Sequence, residues 1–329
     1  MLGFFKNSNH HENKRSDMSK NLLMCATPLQ MLIAERIIRI YPHEDFKLLL
    51  LVLSDNDKYR YYYNRISSLC SGSIYHVPER GLKGIFKLLK NLKKNRMLIG
   101  YDKIYIASIN ESYFQYIISF NSKAQVFTFD DGTANIFSNS IYFKNENINI
   151  YKRICRGLLG LNIYTEHVRS LSKLHYTIYF DMPNIVDNTK YLELFDDTGS
   201  KKLKSSNKTI KIYLGQPLSD KFSDKYIASI LDKLGVTHYF PHPREKTFPN
   251  GDFQIIETPL IFEDYIINYL ELNDEIFIEV FSFISGALIN LSSFNRVRTV
   301  YIYNYKLYEE YKSFYDLVQK KFNIPLIHP

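Results

Sequence analysis

The sequence has few cysteines, and none of them is spaced as a metal centre would require. Cys25, Cys70 and Cys155 lie far apart, and no pair has the CxxC spacing typical of a zinc site. A chain with so little cysteine fits a reducing, cytoplasmic setting. We therefore expect neither a zinc site nor a disulfide framework.

Apolar runs long enough to cross a membrane are also missing. The longest uncharged stretch of the C-terminal half, residues 280–295, has 16 residues and includes four serines and a glycine. A transmembrane helix needs about 20 apolar residues. Residues 1–20 are polar and basic and lack the apolar segment of a secretory signal. We predict no transmembrane helix and no secretory signal, and we expect residues 1–20 to form a disordered extension, in which Met18 offers an alternative start.

The charge is biased towards basic residues, with a formal net charge of +8. A basic surface can attract nucleic acid, an anionic membrane or an anionic small substrate, and composition alone does not distinguish among them. The hydrophobic and charged fractions, 45% and 23%, are those of a folded globular protein. The length of 329 residues is sufficient for two domains, each with its own core.

Short apolar runs alternate with helical patterns along most of the chain. The predicted strands are 21–25, 46–53, 73–77, 103–107, 125–129, 209–214, 238–240, 253–257, 276–281 and 299–303. Helical patterns lie between them, and a single terminal helix is predicted over 307–321. Such alternation is typical of α/β folds with a parallel, doubly wound sheet.

One segment interrupts this alternation and predicts a domain boundary. Residues 196–208 are rich in lysine and serine and contain a single large apolar residue, Leu203. We therefore expect an N-terminal domain over 21–195, a linker over 196–208 and a C-terminal domain over 209–329. Two such domains would enclose a cleft, and open parallel sheets bind ligands beyond the carboxyl ends of their strands.

Polar clusters at the predicted strand ends are the candidate functional residues. Asp130 and Asp131 follow an apolar strand, where a carboxylate can act as a general base, although an Asp-Gly turn is the alternative. His242 and Arg244 can hold a phosphate through a hydrogen bond and a forked pair of donors, or they can be ordinary loop residues.

Two further features suit a nucleotide ligand. Residues 282–286 join a strand to a helix, and their amides can bind a phosphate, although no P-loop motif is present. Glu263 begins a helix, where it can favour the helix dipole or accept hydrogen bonds from ribose hydroxyls.

Residues 80–96 contain seven lysines or arginines and no acidic residue. Their apolar positions line one face of a predicted helix and the lysines the other. The pattern fits a solvated outer helix, and it also fits a surface that contacts an anionic membrane.

Taken together, these clusters resemble glycosyltransferase family 52, the bacterial lipooligosaccharide sialyltransferases. Residues 128–135 are similar to the Asp-Asp-Gly block of bacterial sialyltransferases, and His242-Pro243 is similar to their His-Pro motif. Further blocks in the same order are 27–30, 34–37, 57–64, 175–178, 214–215, 263–266 and 285–287. Family members often carry an N-terminal membrane anchor, and this sequence departs from them there.

The resemblance implies a GT-B architecture, which consists of two facing Rossmann-like domains. It implies inverting, metal-independent transfer of sialic acid from CMP-sialic acid to a terminal galactose, with an α-2,3 linkage, on lipooligosaccharide or a related surface glycan. No cofactor and no nucleic acid partner are expected. A cytoplasmic location, peripheral contact with the anionic inner membrane and a homodimer are compatible with it.

Residue roles follow from the resemblance and from the chemistry of the strand ends. The expected donor-binding residues are Gly215, Arg244, Glu263, Ser282, Ser285 and Gly286, and the expected acceptor-binding residues are Gln30, Asp131 and Thr133. We expect His242 to assist the leaving group by donating a proton or a hydrogen bond.

Two aspartates are candidates for the base. Asp220 matches the family's base-forming aspartate if two extra residues are allowed after Gly215, and Asp130 matches the base position of other bacterial sialyltransferase families. We favour Asp220 and expect Asp130 to position the acceptor. A helix N-cap before residues 221–231 is the structural alternative for Asp220.

Two other functions fit the residues less closely. One is a related glycosyltransferase that uses another nucleotide sugar, such as a UDP-hexose, on a surface polysaccharide. The other is a non-enzymatic protein that binds nucleic acid or membrane through the basic charge, although no zinc finger or aromatic-rich RNA motif is present.

Overall fold

A computed structural model describes residues 18–79, 81–195, 208–245 and 247–329, without the side chains of Leu82 and Lys152. The predicted extension before Met18, the start of the basic segment at Arg80 and the predicted linker up to residue 207 lie outside the described residues.

The first sheet has seven parallel strands and includes the N-terminal strand-end clusters. They are β1 (Lys20–Cys25), β2 (Asp45–Leu51), β3 (Gly72–His76), β4 (Lys103–Ile106), β5 (Gln125–Phe129), β6 (Ser172–Thr177) and β7 (Thr189–Tyr191). Their order across the sheet is β3-β2-β1-β4-β5-β6-β7. The central strands are mostly apolar because both faces of the sheet are covered.

Six helices accompany this sheet in the described residues. They are α1 (Pro28–Ile40), α2 (Asp57–Ser67), α3 (Gly81–Lys94), α4 (Ser112–Phe120), α5 (Ile150–Leu158) and α6 (Thr165–Leu171). Helices α1 and α2 share one core, and α3, α4 and α6 share the core on the opposite face. Helix α1 starts where it does because Thr27 accepts a hydrogen bond from the Gln30 amide and Pro28 occupies the first turn.

The second sheet repeats this strand order. Its parallel strands are β8 (Lys208–Leu214), β9 (His238–Phe240), β10 (Gln254–Ile255), β11 (Ile276–Ser282), β12 (Val297–Ile302) and β13 (Leu326–Ile327), in the order β10-β9-β8-β11-β12-β13. The helices of this domain are α7 (Asp224–Leu234), α8 (Phe262–Leu272), α9 (Gly286–Leu291), α10 (Tyr305–Glu310) and α11 (Lys312–Phe322). The predicted fold class, two doubly wound Rossmann-like domains, is confirmed.

Each sheet has one place where consecutive connections run in opposite directions. In the first sheet this switch point lies between β1 and β4, and in the second it lies between β8 and β11. Ligands of doubly wound sheets bind beyond the strand ends at such a point. The loops after β1, β4, β8 and β11 are therefore in the expected places for a binding site, and the polar clusters after β5 and β9 follow the strands next to β4 and β8.

The two domains contact each other at two places described here. The chain after β5 reaches the second domain, where Ile136 joins its core and the ring of Phe137 lies 6.5 Å from that of Phe314. At the second place, the Tyr62 hydroxyl of α2 donates to the Asp264 carboxylate of α8 over 2.6 Å.

Some predicted elements differ from those observed. The predicted terminal helix is two helices, α10 and α11, because Tyr311 between them has a non-helical backbone with φ near −119°. Helices α5 and α6 and strands β6, β7 and β13 were not predicted. No described helix combines the length and apolarity needed to cross a bilayer.

Candidate active site

Two glutamines hold the strand ends together at the two switch points. In the first domain, buried Gln30 accepts from the Ala26 amide over 2.6 Å and donates to Ser108 Oγ over 2.9 Å. It thereby joins the end of β1 to the loop after β4. In the second domain, Gln216 Oε1 accepts from Ser282 Oγ at 3.1 Å and from the Ile284 amide at 2.9 Å. It thereby joins the loop after β8 to the loop after β11.

Asp131 is a half-buried carboxylate held by three donors. Gln30, Ser108 and Tyr142 each donate to its oxygens, and the Asp131 amide donates to Asn135 Oδ1 over 2.7 Å. Burial and the Asp131 charge raise the pKa of Tyr142, so this phenol remains a donor. The expected acceptor-binding residues Gln30 and Asp131 therefore belong to one rigid cluster.

Asp130 has a different environment from its neighbour. It is fully buried, and one carboxylate oxygen accepts from the Thr177 hydroxyl and the Ile178 amide, both at 2.7 Å. The other oxygen lies 2.8 Å from His175 Nε2 and accepts from Asn184. A carboxylate with four partners and no exposure is suited to fixing the loop after β6, and its geometry favours a structural role over proton transfer.

The loop after β9 fixes the tautomer of His242. The Arg244 amide donates to His242 Nδ1 over 3.1 Å, so the neutral ring carries its proton on Nε2. Burial, together with the charges of Arg244 and Lys58, lowers the pKa of His242 to about 4. At neutral pH His242 is therefore an uncharged ring with one donor.

Glu245 and Gly215 hold this loop against the end of β8. Glu245 accepts from the His242 amide at 2.7 Å and from the Tyr239 hydroxyl at 2.9 Å. A Cβ atom on Gly215 would lie 2.3 Å from Glu245 Oε2 and 2.9 Å from the Tyr239 ring. Gly215 thus permits a close approach of the two loops. Sequence reasoning missed Glu245, although it directly follows the His-Pro-Arg motif.

A cavity of about 190 Å³ lies between these two loops. The loop after β8 contributes Gln216 and Ser219, and the loop after β9 contributes Arg244 and Glu245. The exposed Arg244 therefore borders a concave site at the carboxyl ends of β8 and β9.

Asp220 is exposed in the loop between β8 and α7. The alternative that it caps a helix is wrong, because α7 begins at Asp224 and the Ser223 hydroxyl accepts from the Tyr226 amide. Its neighbour Lys221 pairs with Glu310.

The loop after β11 has both internal and cross-domain contacts. Ser282 is buried and donates to the Leu214 carbonyl at 3.1 Å, so it connects the ends of β8 and β11. Ser285 caps α9 by accepting from the Ala287 amide. A Cβ atom on Gly286 would lie 3.1 Å from Thr133 Cγ2, so an expected donor-binding residue and an expected acceptor-binding residue meet across the domains.

Glu263 is buried at the start of α8 and accepts from Asn290 Nδ2 over 2.8 Å. Burial raises the pKa of this carboxyl, and the bond from Asn290 opposes the shift.

Among the described residues, no three His, Cys, Asp or Glu side chains converge as a metal ion would require.

Two Rossmann-like domains that face each other make up the GT-B architecture. The family model described as Glycosyltransferase family 52 matches residues 43–307, and the chain belongs to this family. It is therefore an enzyme, and the alternative of a non-enzymatic binding protein is excluded.

Named relatives have similar sequences over most of their length. The chain is 32% identical to the CMP-N-acetylneuraminate:beta-galactoside alpha-2,3-sialyltransferase of Pasteurella multocida, over 82% of this chain and 87% of that protein. It is 31% identical to the N-acetyllactosaminide alpha-2,3-sialyltransferase of Haemophilus influenzae, over 86% of this chain and 91% of that protein. Among solved structures, MurG of Acinetobacter baumannii is similar with a TM-score of 0.47 and 10% identity, over 94% of this chain and 85% of that chain.

Proposed function

We propose that the protein is a sialyltransferase that moves sialic acid from CMP-sialic acid to a terminal galactose, forming an α-2,3 linkage. The observation that carries the proposal is the 32% identity to the Pasteurella multocida protein, whose name states this activity. The loop after β9 supports it, because the Nε2–H donor of His242 and the guanidinium of Arg244 suit the phosphate of a nucleotide monophosphate.

The proposed reaction is a single displacement with inversion. The galactose hydroxyl oxygen forms a bond to the anomeric carbon of sialic acid, and the bond from that carbon to the CMP phosphate breaks. A base takes the hydroxyl proton. We assign the base to Asp220, since Asp130 would have to give up hydrogen bonds inside the fold to accept a proton.

The leaving phosphate acquires charge as the bond breaks. His242 Nε2–H and the Arg244 guanidinium provide fixed donors for that charge, and such preorganised donors stabilise a transition state without reorganisation. These two groups support transfer without a metal ion, and chelator treatment tests this directly.

The remaining donor-site roles are assigned from position. Glu263 is proposed to accept from ribose hydroxyls, and the amides of Ser285 and Gly286 to contact the phosphate. The Ile284 and Ala287 amides of the same loop already have partners in Gln216 and Ser285. Ser282 and Gly215 are proposed to act indirectly, by shaping the donor site.

The acceptor is proposed to bind on the first domain, at Gln30, Asp131 and Thr133. Lipooligosaccharide or a related surface glycan is the proposed target.

The basic outer face of α3, with its exposed lysines, is proposed to contact the anionic inner membrane from the cytoplasmic side.

The test is transfer in vitro. The purified protein, with and without EDTA, is incubated with CMP-sialic acid and a panel of labelled lactosides, and the product linkage is determined by NMR. We expect an α-2,3 product that EDTA does not reduce. Transfer from a UDP-hexose, or calorimetric binding of UDP but not CMP, would overturn the proposal.

A further inference from the structure

Lys58 belongs to the family-like segment 57–64, but the proposed mechanism gives it no part. It lies in the first turn of α2, and the partners of its ammonium group are in the other domain. Nζ donates to the carbonyl oxygens of Thr258 and Leu260 at 2.7 and 2.6 Å, and it lies 4.8 Å from the centroid of the Phe240 ring.

This position is unfavourable for a lysine by local rules. The first turn of a helix carries partial positive charge, which disfavours a cation. Burial also lowers the pKa of Lys58, to about 8. A lysine in the first turn of a helix and in a buried position needs compensating contacts elsewhere in the fold. Residues that break local rules in this way are expected mainly at functional sites.

The contacts of Lys58 connect it to both halves of the donor site. The segment from Thr258 to Leu260 leads directly into α8, which carries Glu263 in its first turn. Phe240 ends β9 and precedes the His242 loop. The Lys58 charge also acts on His242 itself, alongside that of Arg244.

We propose that Lys58 is a positioning residue for the transfer reaction: it fixes the 258–260 segment and the end of β9 across the cleft and keeps a positive charge beside His242. The imidazole then serves as a neutral hydrogen-bond donor to the leaving phosphate. The kinetic part of this inference rests on the proposed function. Among the described residues, the charged groups that act on or contact His242 are Arg244 and Glu245 on its own loop and Lys58 on α2. The described contacts of Lys58 with the 258–260 segment are to backbone carbonyls.

The first test is the pH dependence of kcat/KM in Lys58→Met and Lys58→Arg. Because Lys58→Met removes two charge-assisted hydrogen bonds, we expect a loss of about tenfold or more. Removing the Lys58 charge should also raise the pKa of His242, which moves the acid limb of the pH profile to higher pH by about half a pH unit or more. We expect wild-type activity to decline above about pH 8, where Lys58 loses its proton. In Lys58→Arg, most activity should return, and this decline should be absent because arginine stays charged.

The matched control is Arg60→Met on the same helix, since Arg60 is exposed and pairs with Asp55. It should stay within about twofold of wild type, as is usual for exposed ion pairs. If Lys58→Met loses activity without any movement of the acid limb, or behaves like Arg60→Met, the proposal is overturned.

The second test does not depend on turnover. The pKa of His242 is measured by NMR in wild type and Lys58→Met, and the signal is assigned by its loss in His242→Gln. We expect a higher pKa in Lys58→Met, and an unchanged value would contradict the proposal. If the wild type transfers nothing from CMP-sialic acid, the proposed function fails, while this titration still decides the role of Lys58.

Discussion

At the scale of single residues, the chemistry of the cleft depends on backbone contacts that fix side chains. The Arg244 amide fixes the tautomer of His242, and Glu245 holds the His242 amide. Asp130 and Asp131 are adjacent in sequence but differ in exposure, because one points into the fold and the other into a polar cluster at the strand ends. A residue's place in the fold, more than its type, therefore decides which carboxylate is available for reaction.

Asp220, the proposed base, and Asp130, the other candidate from the sequence, are predicted to respond differently to substitution by asparagine. Asp220→Asn should lower kcat by about a hundredfold or more, as expected for loss of a general base, and should change stability by less than about 0.5 kcal/mol. Asp130→Asn should destabilise the fold by about 2–4 kcal/mol, because the new amide hydrogens face existing donors. Turnover assays and denaturant unfolding measure the two effects.

The control for this comparison is Asp232→Asn, which changes an exposed carboxylate on α7. It should resemble wild type in both measurements. Wild-type turnover in Asp220→Asn, or an unaltered unfolding midpoint in Asp130→Asn, would contradict these assignments.

The residue types at the strand ends were visible in the sequence, but their partners were not. The Asp-Asp-Gly and His-Pro-Arg clusters stand out because they follow apolar runs. Tyr142 and His175 reach Asp131 and Asp130 from 11 and 45 positions away, and no local pattern indicates such a contact. Their roles became apparent only from the folded chain.

At the scale of elements, apolar runs predicted strands well where both faces of the sheet are covered. Strands β5 and β9 have their predicted bounds. Helix α5 and strand β7 were missed for a physical reason. Helix α5 exposes Ile150 and Leu158 to 61% and 83%, and all three residues of β7 are exposed, so their patterns do not reflect burial in a core.

Helices α2 and α8 connect the two domains through polar side chains. Arg65 pairs with Glu35 at 2.6 Å and with Asp264 at 3.2 Å, and the Tyr62 hydroxyl bonds to Asp264. The same hydroxyl accepts from the Ile261 amide over 3.2 Å. Tyr62 and Arg65 lie one turn or more along α2 from Lys58. Their contacts and those of Lys58 therefore join the same face of α2 to the second domain.

Tyr62→Phe is predicted to weaken this connection. Loss of the hydroxyl leaves a buried carboxylate with one donor fewer, which should cost about 1–3 kcal/mol of unfolding free energy. Hydrogen exchange should also accelerate at the first turn of α8. Tyr61→Phe, a neighbouring and partly exposed tyrosine, is the control, and equal behaviour of the two variants would show that the network contributes nothing.

At the scale of the whole molecule, two domains with the same strand order place equivalent points opposite each other. Gln30 and Gln216 occupy the switch points of the two sheets, and Thr133 meets Gly286 between the domains. The double Rossmann-like architecture was predictable because strand and helix alternate on both sides of residues 196–208. The relative placement of the domains was not predictable, because it depends on long-range contacts such as those of Lys58 and Tyr62.

The most direct test of the account is a crystal structure of the protein with CMP. We predict that the phosphate binds within hydrogen-bond distance of His242 Nε2 and the Arg244 guanidinium, with the ribose towards Glu263. A phosphate bound away from the loop after β9, with no contact to either side chain, would contradict the proposed site and the mechanism built on it.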